Sequence, residues 1–475
     1  MGSAFPIRVR EALGDERLQH ALTRATGQLG AKRTSAFASL PDAEAVRDRA
    51  RAARMHAIRD LASHLERFEA NLLKNGAHVH WAQSASDANT IIAGIAMRTK
   101  TRCVVKSKSM VSEETHLNAS LEKHGIEVVE TDLGEYIVQL KNDRPSHIIA
   151  PIIHLTRQDV GRVMEERLQV PYTDDPQELA ATARARLRDA FLRAEMGISG
   201  ANFGVADTGT IVLVTNEGNG RMVTTLPRVH VVLMGIEKLI ASLDDLDQCL
   251  KVLARSGTGQ QLTVYTTMGR GPRKAGDDDG PQELHVVLLD NGRSRMLGGE
   301  SAEILGCIRC GACQNVCPVY RSIGGHAYGD TYGGPVGAIV TPGLRGLTGW
   351  SELPHASSLC AACRDACPVR LDIPRMLLSL RRQAVVDGAP PRSPWLAIAM
   401  KAFAWAASRP FMYRVVTGAG RRWLRLKARG GWVRRLPGLG RGWTRSRDLK
   451  APPARTFQQQ WRMEPGGGGP RGGNA

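Results

Sequence analysis

Long apolar runs are absent from this chain of 475 residues: nowhere does it hold the roughly 18–20 consecutive apolar residues of a membrane-spanning helix. The first residues, MGSAFPIRVREALGDE, contain no apolar core of signal-peptide length, and Pro6 stands where a myristoylation signal needs Ser or Thr. These absences predict a cytoplasmic protein whose contact with a membrane, if any, is peripheral and at its inner face. Nucleotide fingerprints are missing as well. No Walker loop and no C-x-x-C-H haem site occurs, and Gly257-Thr258-Gly259 has Leu262 where a G-x-G-x-x-G pattern needs its third glycine. Without a flavin or nicotinamide site, nothing in the sequence accepts a hydride from a C–H bond.

Acidic residues nearly vanish from one end. Of 64 Lys+Arg and 46 Asp+Glu, residues 381–475 hold 20 and 3, which leaves 44 and 43 for residues 1–380. The formal charge of +18 is therefore +1 in the body and +17 in the last 95 residues. That tail carries six of the eight Trp, namely Trp395, Trp405, Trp423, Trp432, Trp443 and Trp461. RRWLRLKARGGWVRRL interleaves Arg with Trp and Leu, as interfacial helices do. Charge alone would admit nucleic acid, but no recognised nucleic-acid fold accompanies it, so no nucleic acid is expected. Docking to partner subunits or to an anionic membrane surface is the expected use of the tail.

Hydrophobic periodicity divides the chain into four parts. Residues 1–75 form a helical N-terminal arm, with Ile58, Leu61, Leu65, Phe68 and Leu72 at helical spacing and Gly76 as a stop. Residues 76–290 alternate short β-branched runs with helices near 87–98, 113–124, 157–168, 176–195 and 236–254. The strands expected are HVHW, RCVVK, IEVVE, HIIAP, TIVLVT, VHVVLMG, LTVYTT and LHVVLLD. This order predicts an α/β domain with a mostly parallel sheet covered on both faces, and 269–281 reads as an exposed loop. Residues 291–385 are a helical region holding the cysteines. Residues 386–475 form the basic tail, joined through a linker, APPRSP, and ending in a Gly-rich stretch expected to be disordered.

Seven of the nine Cys fall between Cys307 and Cys367, in an internal repeat. The first half is Cys307-x2-Cys310-x2-Cys313-x3-Cys317-Pro318, and the second is Cys360-x2-Cys363-x3-Cys367-Pro368. A secreted disulfide framework would spread its cysteines along the chain, and zinc knuckles do not use this compact run. The spacing matches bacterial dicluster ferredoxins, where three thiolates on one loop grip one cluster and the Cys before Pro ligates the other. Crossing the ligands gives Cys307, Cys310, Cys313 and Cys367 to a [4Fe–4S] cluster. Cys317, Cys360 and Cys363 remain for the second, because Ser357 stands where a fourth Cys is due. The second site suits a [4Fe–4S] cluster with three Cys ligands, its fourth iron on Ser357, His355, water or a partner, or a [3Fe–4S] cluster. Arg309, Arg364 and Arg370 beside the ligands either raise reduction potentials or are ordinary surface arginines.

CIRCGACQNVCPVYRSIGGHAYGDTYGGPVGAIVTP, followed by LPHASSLCAACRDACPV, resembles the iron–sulfur protein B of bacterial L-lactate utilization. GISGANFGVADTGTIVLVTNEGNGR (197–221) resembles the lactate-utilization domain of that family, and RDLKAPPARTFQQQW its C-terminus. The resemblance spans roughly residues 50–462. It implies an α/β domain similar to the sugar-phosphate isomerase and CoA-transferase group, followed by a ferredoxin-like dicluster domain. It also implies a role in oxidising L-lactate to pyruvate with companion lactate-utilization proteins, electrons leaving through the clusters to a respiratory acceptor. The alternatives are the iron–sulfur subunit of another 2-hydroxy-acid oxidase, of glycolate type, and a redox-sensing regulator.

Catalytic residues are not identified by the sequence. Asn216-Glu217-Gly218-Asn219-Gly220-Arg221 leaves a strand end, where open α/β sheets bind ligands. Arg221, Arg228, Lys106 and Lys108 are the candidate cations for a hydroxy-acid carboxylate, and Glu217 a candidate proton acceptor. The same segment equally reads as a polar turn. His326 and Tyr328, in GGHAYGDTYGGP, are candidate donors to cluster sulfur or simply part of Gly-rich packing.

Overall fold

The computed structural model describes residues 4–389, 394–461 and 463. The chain forms two compact units, Met1–Pro391 and Arg392–Ala475. Most of the APPRSP linker and the Gly-rich end from residue 464 lie outside the described residues.

Ten strands build the first unit: β1 (His78–Ala82), β2 (Cys103–Lys106), β3 (Glu127–Glu130), β4 (Met196–Ser199), β5 (Phe203–Val205), β6 (Thr210–Thr215), β7 (Val229–Gly235), β8 (Leu239–Ile240), β9 (Tyr265–Gly269) and β10 (Glu283–Leu289). Six of them form one parallel sheet in the order β1-β10-β7-β4-β2-β3. Val231 of β7 lies opposite Ile198 of β4 and His285 of β10. Every residue of β7 is buried, as expected of a parallel strand covered on both faces. Adjacent residues show the two faces. Val104 packs with Ile92 and Ala96 of the helix Ala85–Arg98, whereas Val105 packs with Leu187 and Phe191 of the helix Pro176–Arg193. The helix Ala85–Arg98 begins at a capping box, Ser84 and Asp87 each bonding the other's backbone N–H.

Four expectations need correction. TIVLVT and the LTVYTT region do not join the parallel sheet. They form β6 and β9 of a separate four-stranded sheet, β8-β5-β6-β9, in which β6 is antiparallel to both neighbours. The turn from β5 to β6 is the Asp207–Gly209 hairpin, with Gly209 at φ 66°. HIIAP is not a strand, because its backbone is satisfied locally. The His147 ring accepts from the N–H groups of Ile149 and Ala150, and Ser146 N–H donates to Pro151 O. The helix near 236–254 begins at Leu243, capped by Ser242, after a short 3-10 turn and β8. The helix near 113–124 is two short helices broken at His116, where φ is 53°.

The N-terminal helices grip the cysteine region through arginines. On the helix Ala43–Arg59, Arg47, Arg51 and Arg54 recur at i, i+4 and i+7, on one face. Arg47 donates to the carbonyls of Asp365 (2.7 Å) and Cys367 (2.8 Å), and Arg51 to that of Arg370 (2.6 Å). Buried Arg54 donates to Gly306 O (3.2 Å), Leu305 O (3.1 Å) and Glu237 O (2.5 Å). From the helix Glu16–Ala38, Arg33 donates to Ala366 O at 2.9 Å.

A buried ionic knot joins the sheet to the cysteine segment. Arg293, just after β10, bonds Glu114 through two nitrogens (2.9 and 2.8 Å) and Glu237 through Nε (2.5 Å). The side chains of Arg293, Glu114 and Glu237 are 1%, 2% and 1% exposed. The Tyr332 hydroxyl donates to Glu114 at 2.8 Å, and the Arg309 guanidinium lies 4.9 Å from the Tyr332 ring centre. Gly235 is required here: a Cβ would come within 2.1 Å of Glu237 Oε2 and 2.4 Å of Arg293 Nε.

The second unit contains the helices Pro394–Ala407 and Pro410–Lys427 and a small antiparallel ribbon, β11 (Trp432–Val433) with β12 (Leu449–Lys450). Trp395, Phe411 and Leu426 are exposed, as is Trp405, over which Arg409 stacks at 4.7 Å. No helix among the described residues is long and apolar enough to cross a membrane.

Burial alone would raise the Glu237 carboxyl, but Arg293, Lys238 and Arg309 outweigh it and bring it down to about 2. A carboxylate held below its ordinary value contributes stability above the unfolded pKa and loses it as the proton returns. Stability should therefore fall as pH drops from about 4.5 towards 2, and this part of the loss should be absent in Glu237→Gln. Arg293→Ala should cost about 3–5 kcal/mol in denaturant unfolding, since it strands two buried carboxylates.

Candidate functional site

Both cysteine motifs share one backbone device. Cys310 lies between Arg309 (φ 57°) and Gly311 (φ 76°), and Cys360 between Leu359 (φ 57°) and Ala361 (φ 66°). Left-handed residues placed this way turn successive N–H groups towards one concave face, which suits an anionic group. Only Gly311 adopts this conformation freely; Arg309, Leu359 and Ala361 each cost about 1–2 kcal/mol. Each loop then enters a five-residue helix, Ala312–Val316 with Cys313 and Ala362–Ala366 with Cys363, and leaves it at a Cys-Pro step. Pro318 opens the next helix, where its missing N–H costs nothing, and Cys317 is the cap.

None of the nine cysteines is in a disulfide. Cys310, Cys313, Cys317, Cys363 and Cys367 are buried, Cys307 is half-buried, and Cys360 is exposed. Burial pushes the Cys310 thiol up, followed by the charges of Cys367 and Cys307. Cys313 is raised by burial and then by Cys307, Cys310, Cys363 and Cys367. Cys363 is pushed up to about 12 by burial and by Cys317, with Cys360 also adjacent. The short helices Ala312–Val316 and Ala362–Ala366 pack against each other, so the two cysteine motifs are adjacent, and the charges of Cys307, Cys310, Cys363 and Cys367 all act on Cys313.

The donor set fits iron–sulfur clusters. Burial makes Cys310, Cys313, Cys317, Cys363 and Cys367 resist ionising unless a cationic group takes them as thiolates, whereas the Ala362 N–H lowers the exposed Cys360 thiol. Backbone N–H groups of Arg309, Tyr320 and Leu371 reach the sulfurs of Cys307, Cys317 and Cys367, each at 3.4 Å. The buried Tyr328 hydroxyl has no hydrogen-bond partner among the described residues, and after burial the charges of Cys317, Tyr320, Cys313 and Cys363 raise it further. A cluster sulfur would satisfy it. His326 faces elsewhere: its Nε2 is 2.6 Å from Arg144 O and 3.9 Å from Asp143. Of the three arginines near the ligands, Arg370 pairs with Glu44 (2.7 Å) and Asp48 (2.6 Å), and exposed Arg364 with Asp365 (3.5 Å). Arg309 alone is buried, 3.6 Å from Glu237, with Nη1 unpartnered.

Beyond the carboxyl ends of β2 and β4 lies a cavity of about 440 Å³. Arg309 and Cys310 form part of its wall, as do Lys108, Asn219, Glu217 and Lys238. Three cations proposed from sequence are engaged outside it. Lys106 is buried between Glu130 (2.7 Å) and Glu113 (3.3 Å), Arg221 lies 3.5 Å from Asp279, and Arg228 donates to Thr99 O. Lys108 does line the cavity, paired with Glu135 at 2.7 Å. Glu217 sits on the rim, raised to about 7 by desolvation and the neighbouring Asp132. Sequence reasoning missed Lys238. Its position two residues beyond the apolar run VHVVLMGI, at a strand's carboxyl end, is the signal that could have found it.

Tyr328→Phe should leave iron content unchanged. In the loaded protein it should lower a cluster reduction potential, by tens of millivolts in redox titration, because a donor to sulfur is lost.

Family models match the chain in three places: the LUD domain over residues 65–289, the 4Fe-4S dicluster domain over 303–371, and Lactate utilisation protein B, C-terminal, over 380–465. The chain is 44% identical to Lactate utilization protein B of Bacillus licheniformis, covering 96% of this chain and 95% of that one. Identity to the Bacillus subtilis protein of the same name is 43%, with the same coverage. An uncharacterized electron transport protein of Escherichia coli (strain K12) is 42% identical, again over 96% and 95%. With identity of this order along nearly its whole length, and with the dicluster match spanning the seven cysteines of the repeat, the chain belongs to the lactate utilization protein B family.

Proposed function

We propose that the chain is an iron–sulfur electron-transfer protein in the oxidation of L-lactate to pyruvate, passing electrons through two clusters to a respiratory acceptor. The observation that supports this is the packing of the two cysteine motifs against each other, helix Ala312–Val316 on helix Ala362–Ala366, with thiol charges of both motifs acting on Cys313 and Cys363. Cys307, Cys310, Cys313 and Cys367 would hold one [4Fe–4S] cluster, and Cys317, Cys360 and Cys363 a second with one iron not bound to cysteine. When bound, such clusters supply one-electron carriage, and two of them match the two electrons released by a hydroxy acid.

The protein's own groups serve that task. N–H donors at three sulfurs and the buried Arg309 offset negative charge, which favours the reduced state. Exposed Cys360 and His355 open the second site to solvent or a partner. The Ser357 hydroxyl beside them accepts from Leu359 N–H at 3.1 Å. Companion lactate-utilization proteins supply the C–H chemistry for which this sequence has no flavin or nicotinamide site. Residues 76–290 form the lactate-utilization domain, of sugar-phosphate isomerase/CoA-transferase type, residues 1–75 its helical arm, and residues 291–385 the ferredoxin-like dicluster domain. The basic tail, 386–475, sets this carrier against its partners or the anionic inner face of the cell membrane.

Anaerobic mixing of the loaded chain with its companions and L-lactate should bleach the cluster absorption; bleaching by glycolate and not by L-lactate would overturn the substrate. The protein purified without air should show no intrinsic [3Fe–4S] EPR signal at full iron loading. Ser357→Cys should slow the loss of the second cluster in oxygen. Full-length protein should float with anionic liposomes at low salt and be released as salt rises; no flotation at low salt would remove the membrane from its partners.

A further inference from the structure

The cavity beyond β2 and β4 has what a ligand site needs and what a packing defect lacks. Several of its wall groups are polar, buried and unsatisfied. Arg309 Nη1, Asn219 Oδ1 and Ser107 Oγ have no hydrogen-bond partner, although most buried polar atoms do. Lys238 makes neither a hydrogen bond nor an ion pair among the described residues. Glu237, the carboxylate whose charge acts on it, is already bonded to Arg293. Two buried cations with unused donors therefore face the same space. Arg293, Arg309 and Lys238 share only two buried carboxylates, Glu114 and Glu237, and this excess of buried positive charge calls for an anion.

The remaining wall narrows the choice. Leu213, Val214, Ile148, Ile149 and Ala254 are apolar and suit a short aliphatic group. Asn219 and Ser107 suit a hydroxyl or carbonyl oxygen. Cys310, from the group of four thiols, forms one side.

We propose that this cavity binds a small 2-hydroxy or 2-oxo monocarboxylate, its carboxylate on Lys238 and Arg309, against the loop that carries Cys310. The inference rests on the lactate reading above and adds that this chain, and not only a companion, holds the acid. It concerns binding alone. The acid occupies the end nearest Arg309, and the outer part, towards Glu217, is left to water or to a companion's reacting group. Glu217, when ionised, repels an anion entering past it.

The test uses the loaded full-length chain without companions, kept anaerobic and titrated with pyruvate, which cannot reduce the clusters. Calorimetry should show saturable binding at one site, and pyruvate should perturb the EPR spectrum of the dithionite-reduced clusters. Lys238→Gln should weaken binding at least about tenfold, the equivalent of about 1.4 kcal/mol, with iron content unchanged. Because that lysine is buried and its replacement can disturb folding, Glu217→Gln serves as the second variant. At pH 8 it should tighten binding by about twofold or more, a gain that misfolding cannot produce. Absence of saturable pyruvate binding would overturn the inference. So would equal affinity in iron-loaded Lys238→Gln, or equal competition by chloride at the same concentration. Lactate-dependent bleaching in the presence of companions would survive each of those results and tests the earlier reading separately.

Discussion

The Arg293 guanidinium, enclosed with Glu114 and Glu237, is the contact on which the placement of the cysteine segment depends. The groups gathered around it come from different parts of the chain. Glu114 lies on a short helix after β2, Glu237 follows β7, and Tyr332, which also bonds Glu114, belongs to the glycine-rich stretch between the cysteine motifs. A single planar cation with five donors satisfies two carboxylates in a fixed geometry, which lysine could not do. Glu237 then has its other oxygen near Arg309, so the knot extends into the Cys307–Cys313 loop. Isolated buried ion pairs are weak sources of stability, because desolvation offsets most of the attraction. This one acts mainly as a locator, and its Gly235 cradle admits no other side chain.

From that point the arrangement of the molecule follows. The sheet presents the carboxyl ends of β2 and β4 to a cavity, and the Arg309–Cys310 loop closes one side of it. Strained left-handed residues at 309, 359 and 361 persist because the surrounding contacts over-determine them. The arginines of the N-terminal helices fix the second motif by bonding its carbonyls, not its side chains. Contacts to backbone tolerate change in the side chains between the cysteines while holding the sulfurs in place.

How much of this was legible in the sequence depended on the kind of signal. Five of the six parallel strands were legible because β-branched runs covered on both faces leave little ambiguity, whereas the central β4, MGIS, was missed because it has one β-branched apolar residue and follows a helix directly. The cysteine repeat was legible because ligand spacing is written directly into it. HIIAP misled because an apolar run carries no record of where its N–H groups go, and here the His147 ring takes two of them. TIVLVT was recognisable as a strand, but nothing local told which sheet it joins. Nothing in the sequence distinguishes the stripe of Arg47, Arg51 and Arg54 from a solvated face, which charged residues at helical spacing usually form; its partners are carbonyls 183 to 320 positions away. Lys238 escaped for the same reason. A lysine after a strand becomes informative only once the carboxylate beside it is seen to be occupied.

The arginine contacts to the second motif also set a timetable. Arg47 and Cys367 are 320 residues apart, so the first helices leave the ribosome long before the backbone they grip exists. Cys307 and Cys367 are separated by 60 positions, which at 5–20 residues per second is roughly 3–12 s of synthesis. During that interval the nascent chain exposes a partial set of thiols and a helix face of unpartnered arginines. The two cysteine motifs therefore meet only late in synthesis, and until then the first has neither its neighbour nor the backbone that the arginines hold.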